Sequence, residues 1–385
     1  MIAVLGECVA DGFTIRSPGD HPLGPRPTTS PSPSDVLPSG ASVAIERGLG
    51  RDDERLDDQG RPTHRPGPRR APAGGEVSAP RAENGARPGG DPHGASDGGA
   101  TGLALQVLPG GGPANTAVAL ARLGTPTRFL GRISGDVFGE LFRRHLTSSG
   151  VDLSASVEAK EPSTLAVAAL DTGGQAEYTF YADGTADWQW SPYELDLERL
   201  GPVTCLHTGS LALVREPGRT AVEAFAREAA EHATISIDPN VRPSLATRED
   251  YPVSRWCEWS DILKLSDDDL DFLLPGVPMD RACDTWHAAG ARLIVITRGG
   301  AGALVSLDGK RAPVRAPKVN VVDTVGAGDS FTAGLLHSLS AKGLLGGRLD
   351  GLDLETAVEA AEFAARVAAL TCSVPGANPP WAAAL

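Results

Sequence analysis

The feature that most constrains this chain is an alternation, from residue 102 onward, between short apolar runs and segments with a helical apolar period. Residues 165–170, 234–237, 262–265 and 293–297 read as strands, and 114–123 and 221–232 read as helices. A strand joined to the next by a helix cannot be a hairpin partner, so the pattern calls for crossover βαβ units. These build a mostly parallel sheet covered by helices on both faces. The fold class is therefore α/β, with ligands expected at the carboxyl ends of the strands. The runs 165–170 and 176–181 flank Asp171, Thr172, Gly173 and Gly174, a turn sequence that closes a hairpin. That pair is expected to form a small β lid beside the main sheet.

Upstream the chain changes character. Residues 2–11 read as a first strand closed by Asp11, and 17–101 is then rich in Pro, Gly, Arg and Asp. No aromatic residue occurs between Phe13 and Phe129, and no lysine precedes Lys160. Such a composition buries too little apolar surface to offset the entropy of ordering. The expected division is 1–16 as the first strand of the main domain, 17–101 as a disordered insertion, and 102–385 as the remainder, with lid strands near 165–181. Arg61, Arg65, Arg69 and Arg70 are not read as a nucleic-acid arm, because Asp52, Asp53, Glu54, Asp57 and Asp58 accompany them.

With 385 residues, 41% of them hydrophobic, the chain can fill a core. Its 49 acidic and 35 basic side chains give a formal charge of -14, which repels polyanions, so no nucleic-acid or anionic-membrane partner is expected. Any phosphate site must be built locally. Cys8, Cys205, Cys257, Cys283 and Cys372 form no CxxC pair, so reduced thiols are expected. The opening MIAVLGECVADGF has no basic leader, and no run approaches the roughly 20 apolar residues of a membrane span. A cytoplasmic protein is expected.

The sharpest chemical signal is the run DTVGAGD at 323–329, followed by an apolar helical stretch at 330–339. Small residues before a helix let backbone N–H groups approach an anion, and the helix N-terminus adds positive potential. Asp329 is then placed to take a proton from a substrate hydroxyl while the amides of Gly326, Ala327 and Gly328 hold a transferring phosphoryl group. The other reading of Asp329 is a helix N-cap. No GxxxxGK[ST] is present, so a P-loop is excluded.

The heptapeptide, with strand-like VNVV at 319–322 before it and an apolar helix after it, resembles the signature of the ribokinase-like (PfkB) carbohydrate kinases. GGGPAN at 110–115, running into a helix, resembles the sugar-binding segment of the same family. The resemblance implies a ribokinase-like three-layer sandwich with a mostly parallel central sheet and a small β lid. It implies ATP-dependent phosphorylation of a sugar hydroxyl, with ATP and Mg2+ as cofactors and K+ as a candidate monovalent ion.

Carried over position by position, the resemblance makes Asp11, Gly110, Gly111 and Asn115 sugar contacts. DPNVR at 238–242 looks like the family's D-x-N-x-R, which places Asn240 and Arg242 near phosphates. KLSDDD at 264–269 falls where relatives carry N-x-x-E, with Ser266 for Asn and Asp269 for Glu. That makes Lys264 nucleotide-binding and lets Asp269 reach magnesium through water, while a solvated acidic helix start is the rival reading. Thr297, Gly299 and Gly302 resemble the nucleotide-side loop, or else a plain Gly-rich hairpin, and Thr324 joins that set. Carbonyls around Asp323 and Val325 are implied to hold the monovalent cation.

FYADGTAD at 180–187 resembles the lid-side stretch of bacterial fructokinases, with Asp187 on the sugar side and Ala182 where many relatives carry arginine. Trp188 and Trp190 are pocket or packing residues. Fructose to fructose 6-phosphate is thus the first reading. The alternatives are a kinase for ribose, 2-keto-3-deoxygluconate or a nucleoside, or a non-catalytic sugar- or nucleotide-binding relative. Sugar and ATP are the implied small-molecule partners, and a lid-mediated homodimer the implied assembly.

Overall fold

The computed structural model describes residues 1–15, 104–170 and 176–385. The insertion expected at 17–101 and the turn expected at 171–174 lie outside the described residues.

Apolar residues at both parities of the short strands explain the layering. In β1 (Ile2–Leu5) Ile2 and Val4 join one core while Ala3 and Leu5 join the other. The same split recurs in β12 (Leu293–Thr297), where Leu293 and Val295 face one side and Ile294 and Ile296 the opposite one. Such strands are stable only when sandwiched between helices. In spatial order, β4 (Thr127–Leu130), β1, β9 (Cys205–Gly209), β10 (Thr234–Asp238), β11 (Ile262–Ser266) and β12 run parallel. Antiparallel β13 (Ala303–Leu307) and β14 (Lys310–Val314) complete the eight-stranded sheet.

On one face pack α1 (Gly112–Arg122), α2 (Val137–Ser148), α8 (Ala327–Ala341) and α9 (Leu354–Cys372). The other face carries α3 (Leu197–Leu200), α4 (Arg219–Ala229), α5 (Val253–Cys257), α6 (Asp267–Leu273) and α7 (Met279–Ala289). Alanines of α9 let α8 approach closely: a Cβ on Gly334 would stand 2.7 Å from the Ala364 Cα. The Thr371 hydroxyl donates to Ser330 Oγ at 2.9 Å, which anchors the start of α8.

A second sheet, β3 (Ala104–Gly110), β2 (Val9–Ile15), β7 (Thr164–Leu170) and β8 (Ala176–Tyr181), forms the lid in that order. β7 and β8 pair antiparallel, as the hairpin pattern anticipates, but the lid has four strands rather than two. A short parallel pair, β5 (Arg132–Ser134) and β6 (Val157–Ala159), lies apart from both sheets.

Three expectations need correction. Residues 2–11 are two strands, not one: the chain leaves the main sheet at Gly6, where a side chain would collide with the Pro113 ring, and joins the lid. Asp11 therefore lies inside β2, opposite Leu108 and Ala166. VNVV is no strand; Val321 is 59% and Val322 54% exposed, and the Val322 and Asp323 amides bond to the Cys372 carbonyl instead of a strand. Finally, α8 begins at Ala327, three residues earlier than the apolar run suggests, because small residues 327 and 328 are helical too. Among the described residues no helix is long and apolar enough to cross a membrane.

Candidate active site

Gly326 caps α8 with φ 75 and contributes no side-chain hydrogen bond, so the first-turn N–H groups have no side-chain acceptor at the cap. The left-handed φ is one a glycine adopts without strain. Asp329 sits inside that first turn and is not the N-cap, which removes the bland reading of this residue. Its Oδ2 accepts from Asn115 Nδ2 at 2.9 Å, and Thr116 Oγ1 donates to its backbone carbonyl at 3.4 Å. Two helix N-termini, α1 and α8, thus meet around one carboxylate. Burial pushes Asp329 above the ordinary carboxylate range; the Asn115 hydrogen bond and the Lys264 ammonium oppose the rise, Asp238 adds to it, and Arg242 opposes it.

The three glycines at the start of α1, Gly110 to Gly112, each leave room for a different neighbour. A Cβ on Gly110 would collide with the Asp11 carboxylate, and one on Gly111, where φ is 101, would stand 2.5 Å from the Glu7 carbonyl oxygen. On Gly112 it would strike Asn240 Nδ2 and lie 3.2 Å from Asp329 Oδ1. Asp11, Asn115, Asn240 and Asp329 are thereby brought to one cleft. Burial raises Asp11 to about 6, with Arg242 opposing and Asp329 adding to the shift.

Below the start of α8, Lys264 donates from Nζ to Asp238 Oδ2 at 2.7 Å, both side chains being buried. A Cβ on Gly328 would lie 3.0 Å from that ammonium, so the glycine admits the lysine to the phosphate-side amides. Asp238 Oδ1 accepts from the Asn240 amide at 3.1 Å, which holds Asn240 in a left-handed φ of 41. Arg242 is half-buried and donates from Nη1 to the Asn240 and Val241 carbonyls at 3.3 and 3.0 Å.

Other expected residues fall differently. The Asp269 carboxylate is held by three protein donors: Val241 N on Oδ1 at 2.9 Å, with Ser266 N and Oγ on Oδ2 at 2.9 and 2.7 Å. Ser266 and Asp269 form a capping box of α6, so the acidic helix start has a structural duty. Asp187 is 2% exposed, with Cys8 N on Oδ1 at 2.9 Å and Thr164 Oγ1 on Oδ2 at 2.6 Å. Each oxygen takes a protein donor, so Asp187 ties the entry of β2 to the start of β7. Trp188 and Trp190 are 1% and 4% exposed packing residues.

Thr297 ends β12, its hydroxyl donating to the Leu265 carbonyl at 3.3 Å, and Gly299 and Gly302 have φ 48 and 92 in the turn to β13. That turn is a Gly-rich hairpin connection at the carboxyl end of a sheet strand, so it fits both of its sequence readings. Thr324 is exposed three residues before α8, its carbonyl accepting from Ala327 N at 3.2 Å. Asp323 turns its carboxylate to Val325 N at 3.0 Å and Gly376 N at 2.8 Å.

Sequence reasoning passed over three groups. Glu7 is 3% exposed, Ser210 is 3% exposed with φ 50, and His207 is 3% exposed and bonds through Nδ1 to Ser236 Oγ at 3.0 Å. Burial, with Lys264, pushes His207 down to about 3, so it is neutral. The signal for Glu7 was present as a lone acid inside the apolar run IAVLGECVA.

The family described as pfkB family carbohydrate kinase matches residues 91–384. A fructokinase of Rhizobium leguminosarum bv. trifolii is 40% identical over 242 residues, which cover 61% of this chain and 73% of that protein. Two solved structures share the fold. A fructokinase from Xylella fastidiosa with bound ATP has a TM-score of 0.70 at 21% identity, covering 98% of this chain and 93% of that one. A fructokinase from Vibrio cholerae O395, in its fructose, ADP and calcium ion bound form, has a TM-score of 0.65 at 22% identity, covering 98% and 94%.

Proposed function

The chain belongs to the pfkB family of carbohydrate kinases, and from that premise we propose that it transfers the terminal phosphoryl group of ATP to fructose, giving fructose 6-phosphate. The observation that carries this reading is Asp329 in the first turn of α8, a helix whose cap supplies no side-chain acceptor, in a cleft that also holds Asp11. Fructose rather than another sugar is supported by the fructokinase names among the relatives and by the fructose and ADP in the Vibrio cholerae structure.

The sugar lies between Asp11 of the lid and the glycine turn before α1, where carboxylate and amide groups satisfy several hydroxyls in fixed directions. Asp329 Oδ1 accepts the proton as the sugar oxygen attacks phosphorus, and Asn115 keeps the other oxygen in place. Negative charge on the transferring group is met by the α8 amides and by the Lys264 ammonium beneath Gly328. Asn240, Thr297, Gly299, Gly302 and Thr324 make the nucleotide side. Asp269, whose Oδ1 has one protein donor, would hold magnesium through a water, and the ion would neutralise charge on the ATP phosphates. Carbonyls at Asp323 and Val325 are the candidate potassium ligands, the cytoplasm is the expected location, and a homodimer the expected assembly.

Asp329→Asn tests the reading. General-base removal typically costs about 10²- to 10⁴-fold, so kcat measured by ADP release is expected to fall at least that far while the melting temperature holds. Because Asp329 must be ionised and its folded pKa is raised, wild-type turnover is expected to fade on its acid side at higher pH than an ordinary aspartate gives. Near-normal turnover by the variant removes Asp329 from the role. Fructose, ribose, 2-keto-3-deoxygluconate and a nucleoside, offered in parallel, decide the acceptor.

A further inference from the structure

Where β1 hands over to the lid, a buried acid lies outside the residues assigned above. Glu7 Oε2 is buried and has no hydrogen-bond partner among the described residues. The backbone on either side is pinned, by Gly6 against the Pro113 ring and by Gly111 against the Glu7 carbonyl. An orphaned buried oxygen of this kind is costly to keep. The Glu7 carboxyl lies against the Ser210 hydroxyl. Ser210 lines the small cavity that also contains Gly112, Asn240 and Asp329.

The wall carrying Ser210 is itself held in an unfavourable shape. Gly209 has φ 144, and a Cβ there would collide with the Asp238 carbonyl; Ser210 follows at φ 50, a left-handed conformation that non-glycine residues seldom adopt. A strained serine thus lines the cavity, with the half-orphaned Glu7 carboxyl against its hydroxyl.

We propose that Glu7 is a positioning residue for the sugar: acting through Ser210, it orients a hydroxyl that contacts the bound sugar in the cavity shared with Asp329. This rests on the kinase reading. An ionised Glu7 accepts the Ser210 O–H and leaves serine lone pairs for a sugar hydroxyl. A protonated Glu7 donates to Oγ, and the serine O–H turns to the sugar instead. A polyol accepts either arrangement, since each of its hydroxyls both donates and accepts. Burial raises Glu7 to about 7, Ser210 opposing, Asp187 adding and Arg242 opposing, so both forms exist near neutral pH. Cys8 and Tyr251 are the other titratable groups within electrostatic reach of this carboxyl.

Glu7→Leu, Ser210→Ala and the double variant test the proposal through the kinetics of ATP-dependent fructose phosphorylation, with Glu7→Gln, which keeps both an acceptor and a donor for Ser210, expected to retain the wild-type KM. Glu7→Leu and Ser210→Ala are each expected to raise KM for fructose on the order of tenfold, the scale of one lost hydrogen bond, and to leave KM for ATP unchanged. The double variant is expected to be no worse than the poorer single, since the two groups act as one unit. Calorimetric binding of fructose without ATP is expected to weaken in parallel. Unchanged fructose KM in Glu7→Leu, equal damage to both KM values, or additive losses overturn it. An active wild type with an indifferent Glu7→Leu sinks only this proposal, whereas a wild type that neither binds nor phosphorylates any offered sugar sinks the kinase reading with it.

Discussion

Residues 110–112 show how a run of glycine reads differently in sequence and in space. The resemblance assigns Gly110 and Gly111 to the sugar, yet what the structure requires of each is absence of a side chain beside Asp11, the Glu7 backbone and, for Gly112, Asn240 and Asp329. Gly112→Ala is therefore expected to push Asn240 or Asp329 aside. Overpacking of this kind costs about 1–3 kcal/mol of stability, and a displaced catalytic group can cost on the order of 10²-fold in rate. Chemical unfolding and kcat/KM, measured together, check this; a variant with full activity shows that the cleft has slack. Asp329 was legible because glycines and a carboxylate sit together in seven residues. The tie made by Asp187 was not, because its partners, Cys8 and Thr164, are far away in the chain.

At the scale of elements, one buried acid ties two lid strands at their starts. Cys8 immediately precedes β2 and Thr164 opens β7, and Asp187 accepts from both. In Asp187→Ala two buried donors lose their acceptor, at about 1–3 kcal/mol each. Amide exchange is expected to accelerate in β2 and β7 while β10 and β11 keep their protection, and uniform acceleration across both sheets contradicts the tie. Elements with strong periodicity were readable, as β12 was to the residue. Two failures share a cause: 2–11 and 319–322 are apolar enough for strands, but pairing is decided by neighbours remote in sequence. β1 found β4 and β9, whereas 319–322 found only the Cys372 carbonyl.

The whole molecule carries an electrostatic strain that follows from building a polyol site in a dry interior. Burial raises Glu7 to about 7 and Asp11, Asp187 and Asp261 to about 6 each. The two-faced sheet could be read from apolar runs alone, but these burials could not, because the topology buries Asp187 and Asp261, and Glu7 alone was marked, as a lone acid in an apolar run. Its consequence has a definite sign. A carboxyl whose folded pKa exceeds its unfolded value favours the folded state while protonated. For Glu7 that contribution is complete below 4.5 and lost as pH rises through about 7. The difference of about 2.5 units corresponds to at most about 3 kcal/mol. Glu7→Gln cannot titrate, so its stability relative to wild type is expected to improve between pH 5 and pH 8 by on the order of 1–3 kcal/mol, while its fructose KM holds. Denaturant midpoints for both proteins across that range measure it. If the two stability curves run parallel, Glu7 is ionised throughout, and the neutral form of the Glu7 and Ser210 pair plays no part near neutral pH.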